Sequence, residues 1–393
     1  MRRIVVVGAS LAGLRCVEAL RREGFAGELA LVGAEAHAPY DRPPLSKQVL
    51  RGQWPPERTR LRADADLNAL DLQLKLGVSA VSLDSERRCV ALADGSELGY
   101  DGLVIATGAS PRRLPFGHEL AGVHVLRTLD DALALRAELA QQPRVCVIGA
   151  GFIGLEVAAS CRELGLSVHV IEPLPLPLVT KLGPRMARLI AGLHVERGVD
   201  LRCGQSVAAL EGDSRVERVR LAGGGAIEAD VVVVGIGVAP NIDWLRSSGL
   251  ALGDGIVCDA TCATSLPDVV AVGDCARWPN PRFDLAMRVE HWSNAVEMSV
   301  HAARRLLGGV SFSEPFAPVP YFWSDQYDVK IQFAGVARST DQVAFVEGSE
   351  ETRRGVVLYG HEGKLTGVLA LGRPTQLVRY RTAIAQGAAF EPT

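Results

Sequence analysis

The sequence predicts an α/β chain of two repeated βαβ units, each on its own parallel sheet, with a small α+β domain at its end. Three observations predict it. A β-branched run, a glycine turn and an apolar-periodic helix occur at 3–20 and again at 144–164, and self-similarity of this kind marks a repeated unit. A second β-branched strand follows each helix, at 29–32 and 168–171, completing the pattern of a Rossmann-like nucleotide-binding domain. Beyond a Pro-punctuated linker at 315–320 the chain changes character: Phe, Trp and Tyr cluster near 321–327, and strand-like runs follow at 330–333, 355–358 and 365–371.

Taken in order, the runs 4–7 and 145–148 are unbroken apolar stretches, the pattern of a parallel strand covered on both faces. Between the two units lie a Pro-rich loop at 39–44, a helical stretch, and alternating segments at 78–83 and 89–92 that read as hairpin strands. Later strands close in Ala106-Thr107-Gly108, in Gly235-Ile236-Gly237 and in Gly273-Asp274, and a helix is expected over 294–307. This divides the chain into a discontinuous first nucleotide domain, 1–109 with 239–319, a second at 110–238, and a C-terminal domain at 320–393.

Bulk properties narrow the function. A chain of 393 residues suits two or three domains. The net charge of −3, without a run of five like charges, excludes a global field for nucleic acid or an anionic membrane. The longest apolar runs are far too short to span a bilayer. The first strand begins within three residues of the start, leaving no space for a signal peptide, so a cytoplasmic protein is expected. The eight cysteines are scattered, with no CxxC pair and no histidine at ligand spacing, so neither a metal site nor a disulfide framework is expected.

Chemistry concentrates at the two turns. The first, Gly8-Ala9-Ser10-Leu11-Ala12-Gly13, keeps the outer glycines of the dinucleotide fingerprint and has Ser10 in place of the middle one. A diphosphate there would meet the unpaired amides and positive end of a helix; a tight structural turn is the alternative. The second, Gly149-Ala150-Gly151-Phe152-Ile153-Gly154, is complete, and Glu172 closes the next strand, where a carboxylate can accept both ribose hydroxyls of an adenosine. The residues after Glu172 are Pro173, Leu174 and Pro175. None is basic, so NADH is expected over NADPH. Glu35 is the corresponding acid after the first unit, with an exposed turn glutamate as the alternative.

The segment Pro39-Tyr40-Asp41-Arg42-Pro43-Pro44-Leu45-Ser46-Lys47 resembles the flavin-contacting signature of oxygenase-coupled NADH-dependent ferredoxin reductases, the relatives of putidaredoxin reductase and rubredoxin reductase. The resemblance covers nearly the whole chain. It extends through Ala106-Thr107-Gly108, the second fingerprint with Gly154-Leu155-Glu156, Gly235-Ile236-Gly237, Gly273-Asp274-Cys275-Ala276, Val289-Glu290-His291-Trp292 and Phe322-Trp323-Ser324-Asp325-Gln326-Tyr327. It implies two FAD/NAD(P)-binding domains of the glutathione-reductase-like type, with FAD and NADH as cofactors.

By that resemblance, Lys47 would stabilise the anionic reduced flavin, Glu156 would face the nicotinamide and pair with Lys47, and Trp323 and Trp292 would wall the isoalloxazine ring. Arg42, Arg127, Ala80, Gly237, Glu290 and His291 would complete the cofactor contacts. Asp274 would hold a ribityl hydroxyl, with helix capping as its alternative. The disulfide reductases of the wider group carry a CxxxxC pair after the first helix, yet 33–50 holds no cysteine, and Cys16, within that helix, cannot replace a pair by itself. Electrons would therefore leave from the flavin itself.

The activity implied is hydride transfer from NADH to FAD and delivery of single electrons to a [2Fe-2S] ferredoxin, or to a rubredoxin, serving an oxygenase or cytochrome P450. An NADH oxidase, a nitrite-reductase-like NADH-accepting flavoprotein, and a redox-sensing interaction protein like apoptosis-inducing factor are the alternatives. Ferredoxins are generally acidic, so Arg62, Arg304, Arg305 and Lys330 are candidates for a locally basic docking face. A monomer or homodimer is expected.

Overall fold

The computed structural model describes residues 1–391; Pro392 and Thr393, the last two residues of the expected C-terminal domain, lie outside the described residues. Two compact units emerge. The first comprises Met1–Asp41, Arg60–Ser110 and Pro240–Phe322, and the second Arg42–Thr59, Pro111–Ala239 and the chain from Trp323 onward.

In the first unit five parallel strands form one sheet in the order Val269–Ala271, Gly102–Ile105, Arg3–Val7, Glu28–Gly33, Leu72–Leu76. Ile4, Val5, Val6, Leu103, Val104 and Ile105 are completely buried, as their unbroken apolar runs require of strands covered on both faces. The helix Leu11–Arg22 packs against the helix Trp292–Gly308, which contains the expected 294–307. Ser299 joins them, its hydroxyl donating to the Ala12 carbonyl at 2.9 Å. The alternating segments form an antiparallel hairpin, Ala80–Asp84 with Cys89–Leu92, extended by Glu97–Gly99.

The second unit repeats the scheme. Its parallel sheet runs Asp200–Cys203, Val168–Glu172, Val145–Ile148, Val231–Val234, Val123–His124, so in both units the strand leading into the glycine turn has its βαβ partner on one side and a later apolar strand on the other. The helix Phe152–Glu163 follows the turn. The next helix, Val179–Glu196, is broken at Gly183, with φ 75° and ψ 166°, and resumes at Pro184. Proline fits there because the first residue of a helix has no intrahelical amide bond to lose. The resumed segment carries His194 into the interior, where it is completely buried.

The C-terminal domain is a five-stranded sheet in the order Tyr321–Gln326, Val329–Gly335, Lys364–Leu371, Arg354–His361, Gln342–Ser349. The helix Pro374–Ala385 packs on Val329–Gly335 and Lys364–Leu371. Patterning does not single out Gln342–Ser349 because most of its residues are half-buried, so no apolar face alternates with a polar one. The sheet is fastened to the broken helix: the Tyr359 hydroxyl donates to the Leu182 carbonyl at 2.9 Å, and Arg185–Glu350 and Arg353–Glu196 pair at the rim. Among the described residues no helix is long and apolar enough to cross a membrane.

Candidate active site

In the first unit, packing dictates the outer glycines of the turn. A Cβ on Gly8, whose φ is +120°, would lie 2.1 Å from the Ala106 carbonyl oxygen, and one on Gly13 would lie 1.9 Å from that of Gly8. Ser10 occupies the N-cap of the helix at φ −111° but makes no side-chain cap hydrogen bond, and the first turn, beginning Leu11-Ala12, holds no acidic residue. The helix start is thus a place where an anion meets backbone donors without a competing carboxylate.

The other residues expected of this site take the following places. Glu35 is half-buried and accepts the Tyr40 hydroxyl. Thr107, between Ala106 and Gly108 at the end of its strand, donates to the Asn241 carbonyl at 2.8 Å, and the Asn241 amide returns a bond to the Thr107 carbonyl at 2.9 Å. Asp274 sits in the single 3₁₀ turn Gly273–Cys275 after the strand Val269–Ala271, with Gly273 at φ +72°. Trp292 opens its helix and is oriented by an indole hydrogen bond to Asp41 at 2.7 Å. His291 occupies the N-cap position of the same helix without a side-chain cap hydrogen bond, its ring 4.9 Å from that of Phe322. Glu290 pairs with Arg288 at 2.6 Å. Ala80 begins the hairpin.

The second unit shows the same logic with one informative difference. A Cβ on Gly149 would lie 2.4 Å from the Gly235 carbonyl oxygen and one on Gly154 2.1 Å from that of Gly149, whereas one on Gly151 would meet nothing within 4 Å. Gly151 therefore has no packing reason to be glycine, and its open side at a helix N-terminus suits the close approach of a diphosphate. Phe152 and Ile153 lead the helix, Ile153 exposed. The buried Glu172 carboxylate accepts the Ala150 amide at 2.7 Å and the Leu174 amide at 2.9 Å, which holds it beside the turn. Gly237 has φ +92° and open space at its Cβ. Arg42 donates to the Arg127 carbonyl at 2.7 Å.

Lys47 and Glu156 come together in the same unit as a buried ion pair. Lys47 Nζ lies 2.6 Å from Glu156 Oε2, with the two residues 5% and 2% exposed. Glu156 and Ser160, four apart, share one face of the helix. The Ser160 hydroxyl donates to the Ser46 carbonyl at 2.7 Å and the Ser46 hydroxyl to Glu156 Oε2 at 2.5 Å, so this face grips the turn Pro43–Ser46 that Lys47 follows. The remaining carboxylate oxygen accepts the Ser324 hydroxyl at 2.6 Å. Trp323 precedes Ser324 on the strand and faces the opposite way.

Sequence reasoning missed what supports this pair. Ser324 and Gln326 point to one face of their strand and are both completely buried. Gln326 donates to Ser324 at 3.1 Å and meets His194 Nε2 at 2.9 Å, and His194 Nδ1 lies 3.2 Å from the Tyr327 hydroxyl. Alternation within 322–327 could have found Ser324 and Gln326. His194 gave no signal, since its partner is 132 residues away. Asn241 likewise bonds across 134 residues.

The eight cysteines are free. Burial pushes the thiols of Cys16, Cys146 and Cys161 up to about 12, which leaves them inert as nucleophiles at neutral pH. Three of the four basic docking candidates face carboxylates: Arg62 with Glu18 at 2.6 Å, Arg304 with Glu23 at 2.8 Å, and Lys330 with Asp325 at 3.7 Å. Arg305 donates to the Thr261 hydroxyl at 2.9 Å. Their basicity is thereby partly offset within the protein.

Gly151→Ala meets open space at a permitted φ of −72°, so thermal unfolding should stay where it is while the dissociation constant for NADH, the dinucleotide the sequence leads one to expect at this turn, rises roughly tenfold; Gly154→Ala should lower stability by about 1–3 kcal/mol through overpacking. Differential scanning fluorimetry and ligand titration separate the two effects. Burial pushes His194 from 6.5 down to about 4. The unfolded chain thus takes up a proton in a window where the folded chain does not, and stability present above pH 6.5 is lost as pH falls toward 4, by at most about 3 kcal/mol. His194→Gln should flatten the fall in unfolding temperature across that window; an unchanged slope would contradict the assignment.

Comparison with known proteins agrees with this architecture. Residues 2–299 match the pyridine nucleotide-disulphide oxidoreductase family and residues 321–393 the reductase C-terminal family. The chain is 39% identical to a ferredoxin–NAD(P)(+) reductase of Sphingomonas sp. over 394 residues, covering 99% of this chain and 94% of that one. It is 37% identical to the ferredoxin–NAD(+) reductase component of the p-cumate 2,3-dioxygenase system of Pseudomonas putida over 350 residues, covering 88% and 84%. It superposes on the reductase of the covalent putidaredoxin reductase–putidaredoxin complex with a TM-score of 0.95 at 34% identity, over 100% of this chain and 94% of that one. With two matching glycine turns on two matching sheets and relatives aligned along its whole length, the chain belongs to the pyridine nucleotide-disulphide oxidoreductase family, in its branch of ferredoxin reductases.

Proposed function

We propose that the protein is an FAD-dependent NADH:ferredoxin oxidoreductase supplying single electrons to a [2Fe-2S] ferredoxin that serves an oxygenase or cytochrome P450. The observation that carries this reading is the duplication of a dinucleotide turn on two sheets of the same construction, without a cysteine in the stretch 33–50. When bound, FAD takes a hydride from NADH and gives up its electrons one at a time.

The chain's own residues bind and orient. The turn Gly8–Gly13 and its helix N-terminus hold the FAD diphosphate, with Glu35 on the adenosine ribose and Asp274 on the ribityl chain. The open face of Gly151 admits the diphosphate of NADH, and Glu172, already fixed by two backbone amides, accepts its ribose hydroxyls. Trp292 in the first unit and Trp323 in the second each supply flat apolar surface that excludes water. Lys47 supplies a cation for the reduced ring, and Glu156 holds Lys47 and orients the nicotinamide. No protein acid or base is needed for hydride transfer, so positioning is the main catalytic demand. The protein works in the cytoplasm, where NADH is available and eight unpaired thiols remain reduced.

Anaerobic titration with NADH should bleach the flavin of the purified protein stoichiometrically, and addition of a [2Fe-2S] ferredoxin should restore it while reducing the iron-sulfur centre. Rapid reoxidation by oxygen with no transfer to any ferredoxin or rubredoxin would instead support an oxidase. The carboxylate of Glu172, without a basic residue in Pro173-Leu174-Pro175, predicts kcat/KM at least about tenfold higher with NADH than with NADPH. Equal efficiency would contradict that placement of Glu172.

A further inference from the structure

The buried groups beyond Glu156 form one continuous row: Tyr327 hydroxyl, His194, Gln326, Ser324, Glu156, Lys47. The direction of each hydrogen bond is forced. A carboxylate only accepts, so Ser324 must donate to Glu156 Oε1. Having one proton, Ser324 then accepts from Gln326 Nε2. That turns the Gln326 carbonyl oxygen to His194 Nε2, which must carry a proton. The His194 Nδ1 lone pair is left for the Tyr327 hydroxyl to fill. Reversing the Gln326 amide would require Ser324 to donate outward and set its lone pairs against the carboxylate. The anion at one end therefore sets the tautomer of a histidine four hydrogen bonds from the Lys47 ammonium.

The environment suits such a row. Ser324, Gln326 and His194 are each 0% exposed, and in a low-dielectric interior aligned hydrogen bonds polarise one another. At the outer end, Tyr327 lies beneath the Arg197 guanidinium, 5.1 Å from its ring centroid, and Arg197 also pairs with Asp328. At the inner end, among the described residues, the Glu156 carboxylate is also bonded by Lys47 and Ser46. Gln326 is an imperfect conductor of protons, because its amide would have to tautomerise. The row is suited to orientation instead.

We propose that Ser324, Gln326, His194 and Tyr327 form a positioning relay, each hydrogen bond directed at Glu156, that holds the Lys47–Glu156 pair in the geometry needed for hydride transfer from NADH. The inference rests on the reductase reading given above. Fixing Glu156 Oε1 through Ser324 leaves Oε2 facing Lys47 and Ser46, and the relay thereby makes a C-terminal strand part of the machinery of the second glycine-turn helix. Its residues act through Glu156 and do not themselves touch the reacting atoms.

The test uses the FAD-loaded protein in anaerobic stopped-flow reduction by NADH, together with nitrogen NMR of the histidine rings. Ser324→Ala and Gln326→Leu should lower the limiting rate of flavin reduction about tenfold while changing the NADH dissociation constant less than about twofold; Ser324→Thr, which keeps the hydroxyl, should restore most of the rate. NMR of the unaltered protein should show His194 neutral and protonated on Nε2, and Ser324→Ala should change that ring's signals. If Glu156→Gln leaves reduction unchanged, the reading of the site fails and the relay with it. If Glu156→Gln slows reduction but Ser324→Ala and Gln326→Leu, folded and fully loaded with FAD, reduce at the rate of the unaltered protein, the relay alone is overturned. An Nδ1-protonated His194 would overturn it as well.

Discussion

The buried ion pair of Lys47 and Glu156 is the constraint on which the candidate site depends. Two charges held 2.6 Å apart and almost fully buried are tolerated only when both are paired and their remaining hydrogen-bonding capacity is met. This explains why three serines surround them. Ser46 and Ser324 take one carboxylate oxygen each, and Ser160 fixes the turn that presents Lys47. The pair contributes specificity of arrangement more than net stability: it joins a short turn, a glycine-turn helix and a C-terminal strand that are remote in sequence.

The rest of the fold supplies what the pair needs. Each parallel sheet places a helix N-terminus at the end of a buried strand, and the outer glycines allow strand, turn and helix to approach until a single Cβ would collide. The middle position is where the two turns diverge, Ser10 in one and Gly151 in the other. Ser10 shows that its turn tolerates a side chain at this place. Gly151 leaves its turn with unfilled space, and the difference fits two nucleotides bound in unlike ways.

Much of this was legible from sequence because it is local. Periodicity and β-branched runs locate both βαβ units, the glycines mark both turns, and Glu172 closes its strand where the sequence places it. The hairpin at 78–92 and the closing helix of the C-terminal domain are equally local. What escaped was decided by long-range packing. His194 lies in a helix whose apolar pattern explains its burial without hinting at a polar partner, and Asn241 follows a strand end like any loop residue. Arg62 and Arg304 failed to register as paired because Glu18 and Glu23 approach them from distant parts of the chain. Charge counting along a sequence cannot see such neutralisation.

The most direct measurement of the account is a double-mutant cycle on the ion pair, Lys47→Met and Glu156→Gln singly and together, followed by chemical unfolding of the FAD-loaded protein. Either single change strands a buried group and should cost about 3–5 kcal/mol, with the double variant recovering about 2 kcal/mol or more of the summed loss. Additive losses would show that the two side chains are independent, and the site would then have no charged pair at its centre.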